Sequence, residues 1–246
     1  MMKYDYSNYH VIVSGGTRGI GRAIVEAFLD SGARVAATYS GNEEHARKLE
    51  EERKGFPLKI YKFDVSSYTE TEEFFRQYDQ DFNSLEVLVN NAGIRRDSVV
   101  GMMPQEDWNA VLAVNLTGTY NMSKLGIMRM LPNRFGRIIS ITSPSGSMGI
   151  EGQANYAASK AGQVGFTRSL SKEVGKRKIT VNCVSPGYID TELIADLPAE
   201  LVKQYKSQVP LKRFGKPADV ANAVMFLSSK EAEYISGTTL EVTGGI

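Results

Sequence analysis

Short apolar runs alternate along this chain with longer stretches of helical period. His10–Ser14, Arg34–Thr38, Leu58–Phe63, Leu85–Val89, Gly136–Thr142, Ile179–Val184 and Thr239–Val242 each read as a strand. Between them, Arg22–Asp30, Glu43–Gly55, Tyr68–Phe82, Trp108–Leu131, Gln153–Lys176 and Pro217–Ser229 carry helical patterns, the last with proline near its start. The Trp108–Leu131 stretch is mostly apolar but contains Asn115, and a buried asparagine needs partners and disturbs the helix ladder. Asp190–Phe214 is less regular, broken by Pro198 and Pro210, and is expected to be a mobile substrate lid over 190–214. Strands alternating with helices predict an α/β fold, a single doubly wound parallel sheet of about seven strands flanked by helices. No internal repeat, low-complexity tract or linker divides residues 1–246, so one domain is expected.

The first strand runs into Gly15-Gly16-Thr17-Arg18-Gly19-Ile20-Gly21 and then a helix. Strand, glycine turn and helix are the context of a Rossmann-like dinucleotide site, where glycines admit a pyrophosphate and the helix N-terminus favours its charge. The same order also serves a tight turn that only packs helix on strand. An NAD-selective site usually places an acid at the end of the second strand. Here Thr38-Tyr39-Ser40 stand there, and Glu43 and Glu44 come later. Arg18 is placed to meet a 2′-phosphate, which favours NADP, unless it is a solvated turn residue. Asp64-Val65, Asn90-Asn91-Ala92-Gly93 and Ser185-Pro186-Gly187-Tyr188-Ile189 each leave a strand at its carboxyl end, where the cofactor crevice of such a sheet lies.

Tyr156 and Lys160 stand four apart on one helix face. A free tyrosine, with pKa near ~10, is a poor proton donor at neutral pH, and an ammonium one turn away is expected to lower it. Ser143, just past an apolar strand, is placed to hold a carbonyl oxygen against the Tyr156 hydroxyl. Tyr-x-x-x-Lys pairs also arise by chance on helix surfaces, so the pair gains its meaning from the glycine turn upstream.

Composition narrows the classes. Hydrophobic residues make up 42% of the 246 and charged residues 23%, as in a globular protein with a sizeable core. The formal net charge of +1 gives no field for nucleic acid or an anionic membrane. One cysteine, Cys183, in an apolar run, and two histidines, His10 and His45, leave little for a disulfide, a metal site or a histidine triad. The polar start and the lack of a ~20-residue apolar run argue against a signal peptide or membrane span, and a cytoplasmic protein is expected.

With these pieces together, the sequence resembles the short-chain dehydrogenase/reductase family over essentially its whole length. The match rests on Gly15-x-x-x-Gly19-x-Gly21, Asn90-Asn91-Ala92-Gly93, Asn115, Ser143, Tyr156-x-x-x-Lys160 and Pro186-Gly187 in that order. Within the family it looks most like the 3-oxoacyl-acyl-carrier-protein reductases, through Gly93–Asp97, Gly152–Gly162 and Ile179–Asn182. That resemblance implies NADPH-linked reduction of a 3-oxoacyl thioester on acyl carrier protein, by a homotetramer or dimer. It implies Tyr156 as acid, Lys160 orienting the ribose, Ser143 holding the carbonyl, and Asn115 supporting a water relay to Lys160. It also implies cofactor contacts by Gly15, Thr17, Arg18, Gly19, Ile20, Gly21, Thr38, Asp64, Val65, Asn91, Ala92, Gly93, Pro186, Gly187 and Ile189. Arg134 and Arg177 fall where these reductases dock acidic carrier protein, although both are also ordinary sites for solvated charge. A dedicated polyketide, aryl polyene or acyl-CoA pathway, or a sugar, steroid or alcohol substrate, would use the same residues. A cofactor-binding sensor or scaffold would be expected to show damage among Ser143, Tyr156 and Lys160, and none is visible. Departures from the family pattern include Ser14 for threonine, Ser143-Pro144-Ser145 in place of small apolar residues, and the charge of Arg95.

Overall fold

The structure, a computed structural model, describes residues 4–192 and 199–246. Its strands are β1 (His10–Val13), β2 (Arg34–Tyr39), β3 (Leu58–Lys62), β4 (Val87–Asn90), β5 (Gly136–Ile141), β6 (Ile179–Pro186) and β7 (Thr239–Val242). They form one seven-stranded sheet in the order β3-β2-β1-β4-β5-β6-β7, with every pairing parallel. The helices are α1 (Gly19–Asp30), α2 (Glu43–Glu52), α3 (Tyr68–Asp81), α4 (Gln105–Leu112), α5 (Gly118–Met130), α6 (Ser145–Met148), α7 (Ala154–Val174), α8 (Ala199–Gln208) and α9 (Pro217–Ser228).

The continuous apolar runs of β1, β4, β5 and β6 are buried throughout because helices cover both faces of the sheet. Alternation along each strand then divides the core in two. Val11 and Val13 pack with Ile24, Phe28 and Val224 of α1 and α9, while Ile12 packs with Phe74, Phe75 and Tyr78 of α3 and Met122 of α5. Side-chain oxygens start two of the helices: Asn42 accepts from the His45 amide at α2, and Ser67 from the Glu70 amide at α3.

Two expectations are corrected here. The single helix expected over Trp108–Leu131 is α4 and α5 joined by a π turn, Ala113–Thr117, with Asn115 fully buried at its centre. A wide turn of this kind releases backbone groups from the α ladder so that a buried polar residue can find its partners. The stretch expected to be irregular contains α8, ten residues whose Tyr205 ring stacks on Tyr188 at 4.9 Å. Leu193, Ile194 and Leu197 of that stretch, candidates from the sequence for an acyl pocket, lie outside the described residues. No described helix is long and apolar enough to cross a membrane.

Candidate active site

An all-parallel sheet puts the carboxyl ends of its strands on one edge, and the strand order reverses between β1 and β4. A crevice opens at such a reversal. The structure brings nearly all the sequence-selected residues to this edge. The turn 15–21 follows β1, Thr38 lies in β2, and Asp64 and Val65 follow β3. Asn91–Gly93 follow β4, Ser143 follows β5, and Pro186, Gly187 and Ile189 lie at or beyond the end of β6.

The glycine turn is shaped by two close approaches. Gly15 has φ +62°, and a Cβ there would stand 3.0 Å from the Ala92 Cα. A Cβ on Gly21 would stand 2.1 Å from the Gly15 oxygen, so α1 can start against the turn only with glycine at that position. Asn91 fixes the pair of strand ends: its Nδ2 donates to the Ser14 and Gly15 carbonyls at 3.0 and 2.9 Å. The Ser14 hydroxyl accepts the Asn91 and Ala92 amides at 3.0 and 3.1 Å, which is what the residue before the turn contributes. The first turn of α1 holds no acidic side chain, so its N-terminal dipole is left for an external anion. A cradle that a single Cβ would fill, beside an uncompensated helix start, fits a dinucleotide.

Thr17 and Thr38 are buried, whereas Arg18 is exposed. The Arg18 guanidinium stands 3.9 Å from the Glu192 carboxylate, and the His45 ring nitrogen stands 3.7 Å from the same oxygen. Glu192 was not singled out by sequence, since nothing local marks a contact across so many residues. Asp64 Oδ1 accepts the Ser66 amide at 2.8 Å and closes the turn after β3.

Tyr156 and Lys160 lie in α7, Tyr156 half-buried and Lys160 buried, with Nζ 5.4 Å from the Tyr156 ring centre. Their electrostatics differ from the expected picture. Burial pushes the phenol up, and the Ser143 hydroxyl and the Arg95 charge only partly pull it down, with Asp97 pushing it up again. The Lys160 ammonium beside the ring donates to the Ile141 carbonyl at 2.8 Å at the end of β5. Burial brings Lys160 itself down from 10.5 to about 8.

Asn115 is held at every polar atom. Its Oδ1 accepts the Ile94 amide at 2.8 Å, and its Nδ2 donates to the Ile94 carbonyl and Ser159 Oγ, both at 3.0 Å. Its carbonyl accepts from Thr119 Oγ1 at 2.7 Å and from Gln163 Nε2 at 2.9 Å. These bonds clamp Gly93-Ile94 against α7 and leave Asn115 Oδ1 a second lone pair, close to Gly93 on the side where Lys160 Nζ also lies. Gln163, missed in the sequence, stands three residues after Lys160, a spacing that could have drawn attention to it.

Ser143 lies in a second polar chain. Its Oγ donates to Ser145 Oγ at 3.2 Å and accepts the Ser145 amide at 3.3 Å. Ser145 Oγ donates to Gln153 Oε1 at 3.2 Å, Gln153 Nε2 donates to Asp97 Oδ2 at 3.1 Å, and Arg95 pairs with Asp97 at 3.1 Å. Arg134 and Arg177 are not brought to this edge. They precede β5 and β6, Arg134 donating to the Lys176 carbonyl at 3.2 Å, so the length of β5, six residues or roughly 20 Å, separates them from Ser143.

A doubly wound parallel sheet with a glycine turn at its reversal point and a Ser, Tyr and Lys group beside it defines a dinucleotide-binding oxidoreductase. Comparison with known proteins agrees. A family model described as enoyl-(acyl carrier protein) reductase matches residues 15–246. Acetoacetyl-CoA reductase of Shinella zoogloeoides is 42% identical over 235 residues, 95% of this chain and 96% of that protein. The 3-oxoacyl-(acyl-carrier-protein) reductase FabG of Aquifex aeolicus is 41% identical over 238 residues, 96% of each chain. FabG of Staphylococcus epidermidis is 40% identical over 241 residues, 97% of this chain and 99% of that protein. The chain belongs to the short-chain dehydrogenase/reductase family, whose members use a nicotinamide cofactor.

Proposed function

We propose that this protein is an NADPH-dependent reductase of 3-oxoacyl thioesters, with residues 1–246 acting as one domain and 190–214 covering the substrate. The observation that carries the proposal is the meeting of Ser143, Tyr156 and buried Lys160 beside the glycine turn at one edge of the sheet. A nicotinamide held beside this turn would supply the hydride that a ketone carbon receives. Tyr156 gives its proton to the ketone oxygen, and Ser143 donates a hydrogen bond that holds this oxygen in place. Lys160 supplies the positive charge that steadies the tyrosine once its proton has left. Asn115 keeps Gly93, Ile94 and α7 in register.

Thr38 at the end of β2 and exposed Arg18 support NADPH, because β2 itself ends without an acid for the ribose hydroxyls and Arg18 already draws one anionic group, the Glu192 carboxylate. Arg18→Ala is expected to raise the KM for NADPH about tenfold or more while leaving that for NADH within about twofold. Steady-state kinetics with both nucleotides decide this, and an unchanged preference would remove Arg18 from the 2′-phosphate site.

The carrier is the open half of the substrate. Of the three relatives described above, two are named for acyl carrier protein and one for coenzyme A. Docking of an acidic carrier protein through Arg134 and Arg177 faces the length of β5, so the proposal assigns that role to a homotetramer or dimer in which this basic patch adjoins a neighbouring copy's site. The distance favours a second reading, reduction of a free coenzyme A thioester such as a short 3-oxoacyl-CoA. Following NADPH consumption with a 3-oxoacyl chain on each carrier separates them. A carrier-protein preference lost on Arg134→Glu with Arg177→Glu supports the first; equal rates on both carriers support the second. No turnover on either would sink the thioester substrate.

A further inference from the structure

From Asp97 to Ser145 the chain of hydrogen bonds has only one possible sense. A carboxylate only accepts, so Gln153 must turn its NH2 to Asp97 and its carbonyl to Ser145. A carbonyl only accepts in turn, so the Ser145 hydroxyl must spend its hydrogen on Gln153 Oε1. Ser145 Oγ is left as an acceptor towards Ser143, whose hydroxyl receives the Ser145 amide and has Ser145 Oγ and the Tyr156 oxygen as neutral acceptors for its hydrogen. The middle of the chain is dry, with Ser145 5% and Gln153 7% exposed. Its outer end is tied down independently. The Ser98 amide donates to the Gly152 carbonyl at 2.8 Å, and Asn155 Nδ2 donates to the Arg96 carbonyl at 2.9 Å, so Asp97 is held against the start of α7 from both sides.

We propose that Asp97, Gln153 and Ser145 form a positioning relay that sets the place and the hydrogen-bond sense of the Ser143 hydroxyl for carbonyl binding. The inference rests on the reading of Ser143 given above. Two contacts fix Oγ, and the hydrogen is parked on a neutral acceptor. An incoming carbonyl oxygen replaces Ser145 Oγ as that acceptor, one neutral acceptor for another, without moving Oγ. Without the relay the hydroxyl is free to sample its other staggered positions. None of the three relay residues meets the glycine turn, so their effect belongs to the chemical step.

The test compares Ser145→Ala, Gln153→Leu and Ser145→Thr, each alone and in a Ser143→Ala background, by single-turnover and steady-state NADPH oxidation with a 3-oxoacyl thioester. Ser145→Ala and Gln153→Leu are each expected to lower kcat about tenfold, the worth of one hydrogen bond, with both KM values within about twofold. Together they should cost little more than either alone, since they interrupt one chain, and neither should matter once Ser143 is alanine. Ser145→Thr, which keeps the hydroxyl, should restore most of the rate. A raised substrate KM with unchanged kcat would make these residues direct substrate contacts and overturn the relay, as would losses that persist in the Ser143→Ala background. If Ser143→Ala alone keeps the full rate, the reading of Ser143 fails first and the relay falls with it. A dead Ser143→Ala beside fully active Ser145→Ala and Gln153→Leu would sink the relay alone.

Discussion

Tyr156→Phe is expected to lower the turnover of ketone by roughly a hundred- to ten-thousandfold while leaving nucleotide binding within about threefold. The substitution removes one oxygen from a half-buried ring and leaves its packing in α7 intact. The oxygen matters because of its protonation. Burial keeps the phenol above its ordinary value despite the pull of Ser143 and Arg95, so the group stays protonated through the neutral range and is ready to act as an acid. On the proposed mechanism, reduction is expected to run with the acid form in place, while oxidation of the alcohol product is expected to need the phenolate and to gain as pH rises. The checks are kcat for reduction against pH, and a fluorescence titration of NADPH into the Phe variant. A Phe variant with a near wild-type rate would leave Tyr156 with no part in the chemistry.

Much of this site was legible because its signals are local or tied to strand ends. A glycine turn between β1 and α1, Asn91 after β4 and Ser143 after β5 are all placed by one fact, the parallel sheet, and the apolar runs announce that sheet. The Tyr156 and Lys160 pair is local too, set by helical spacing. The sense of their coupling was not legible. Spacing says that two side chains share a face, but it does not say where an ammonium donates, and the end of β5 supplies the Ile141 carbonyl that takes it. The same limit applies to Asn115, whose partners Ile94, Ser159 and Gln163 come from separate stretches of chain. Glu192 and the Asp97 relay were missed because each contact joins segments that only the folded sheet brings together. The π turn was legible only as a disturbance at Asn115: the apolar period of Trp108–Leu131 continues through it, and spacing does not say what form the break takes.

Lys160→Met is expected to abolish most turnover, by at least about a hundredfold, without lowering stability at neutral pH. Burial favours the neutral amine in the folded protein and brings its pKa from 10.5 to about 8, while the unfolded chain keeps the ordinary value. Between these two values the unfolded state binds more protons, so the contribution of Lys160 to stability rises with pH across that window and is lost as pH falls through about 8. Below it, the fold carries a buried ammonium at a cost of about 3 kcal/mol relative to the neutral amine. Methionine fills a similar volume without the charge, and the loss of one hydrogen bond to Ile141, worth about 1 kcal/mol, offsets only part of the relief. Urea unfolding of wild type and Lys160→Met at pH 7.5 and at pH 10 measures the difference directly. The gap should move towards the wild type at the higher pH, and a gap that stays flat would mean that Lys160 is not held neutral by burial. A stable but inactive variant would also separate this chain from a cofactor-binding scaffold, which has no use for a buried charge. On the proposed mechanism, the destabilising ammonium is retained beside the tyrosine for the step in which that tyrosine loses its proton.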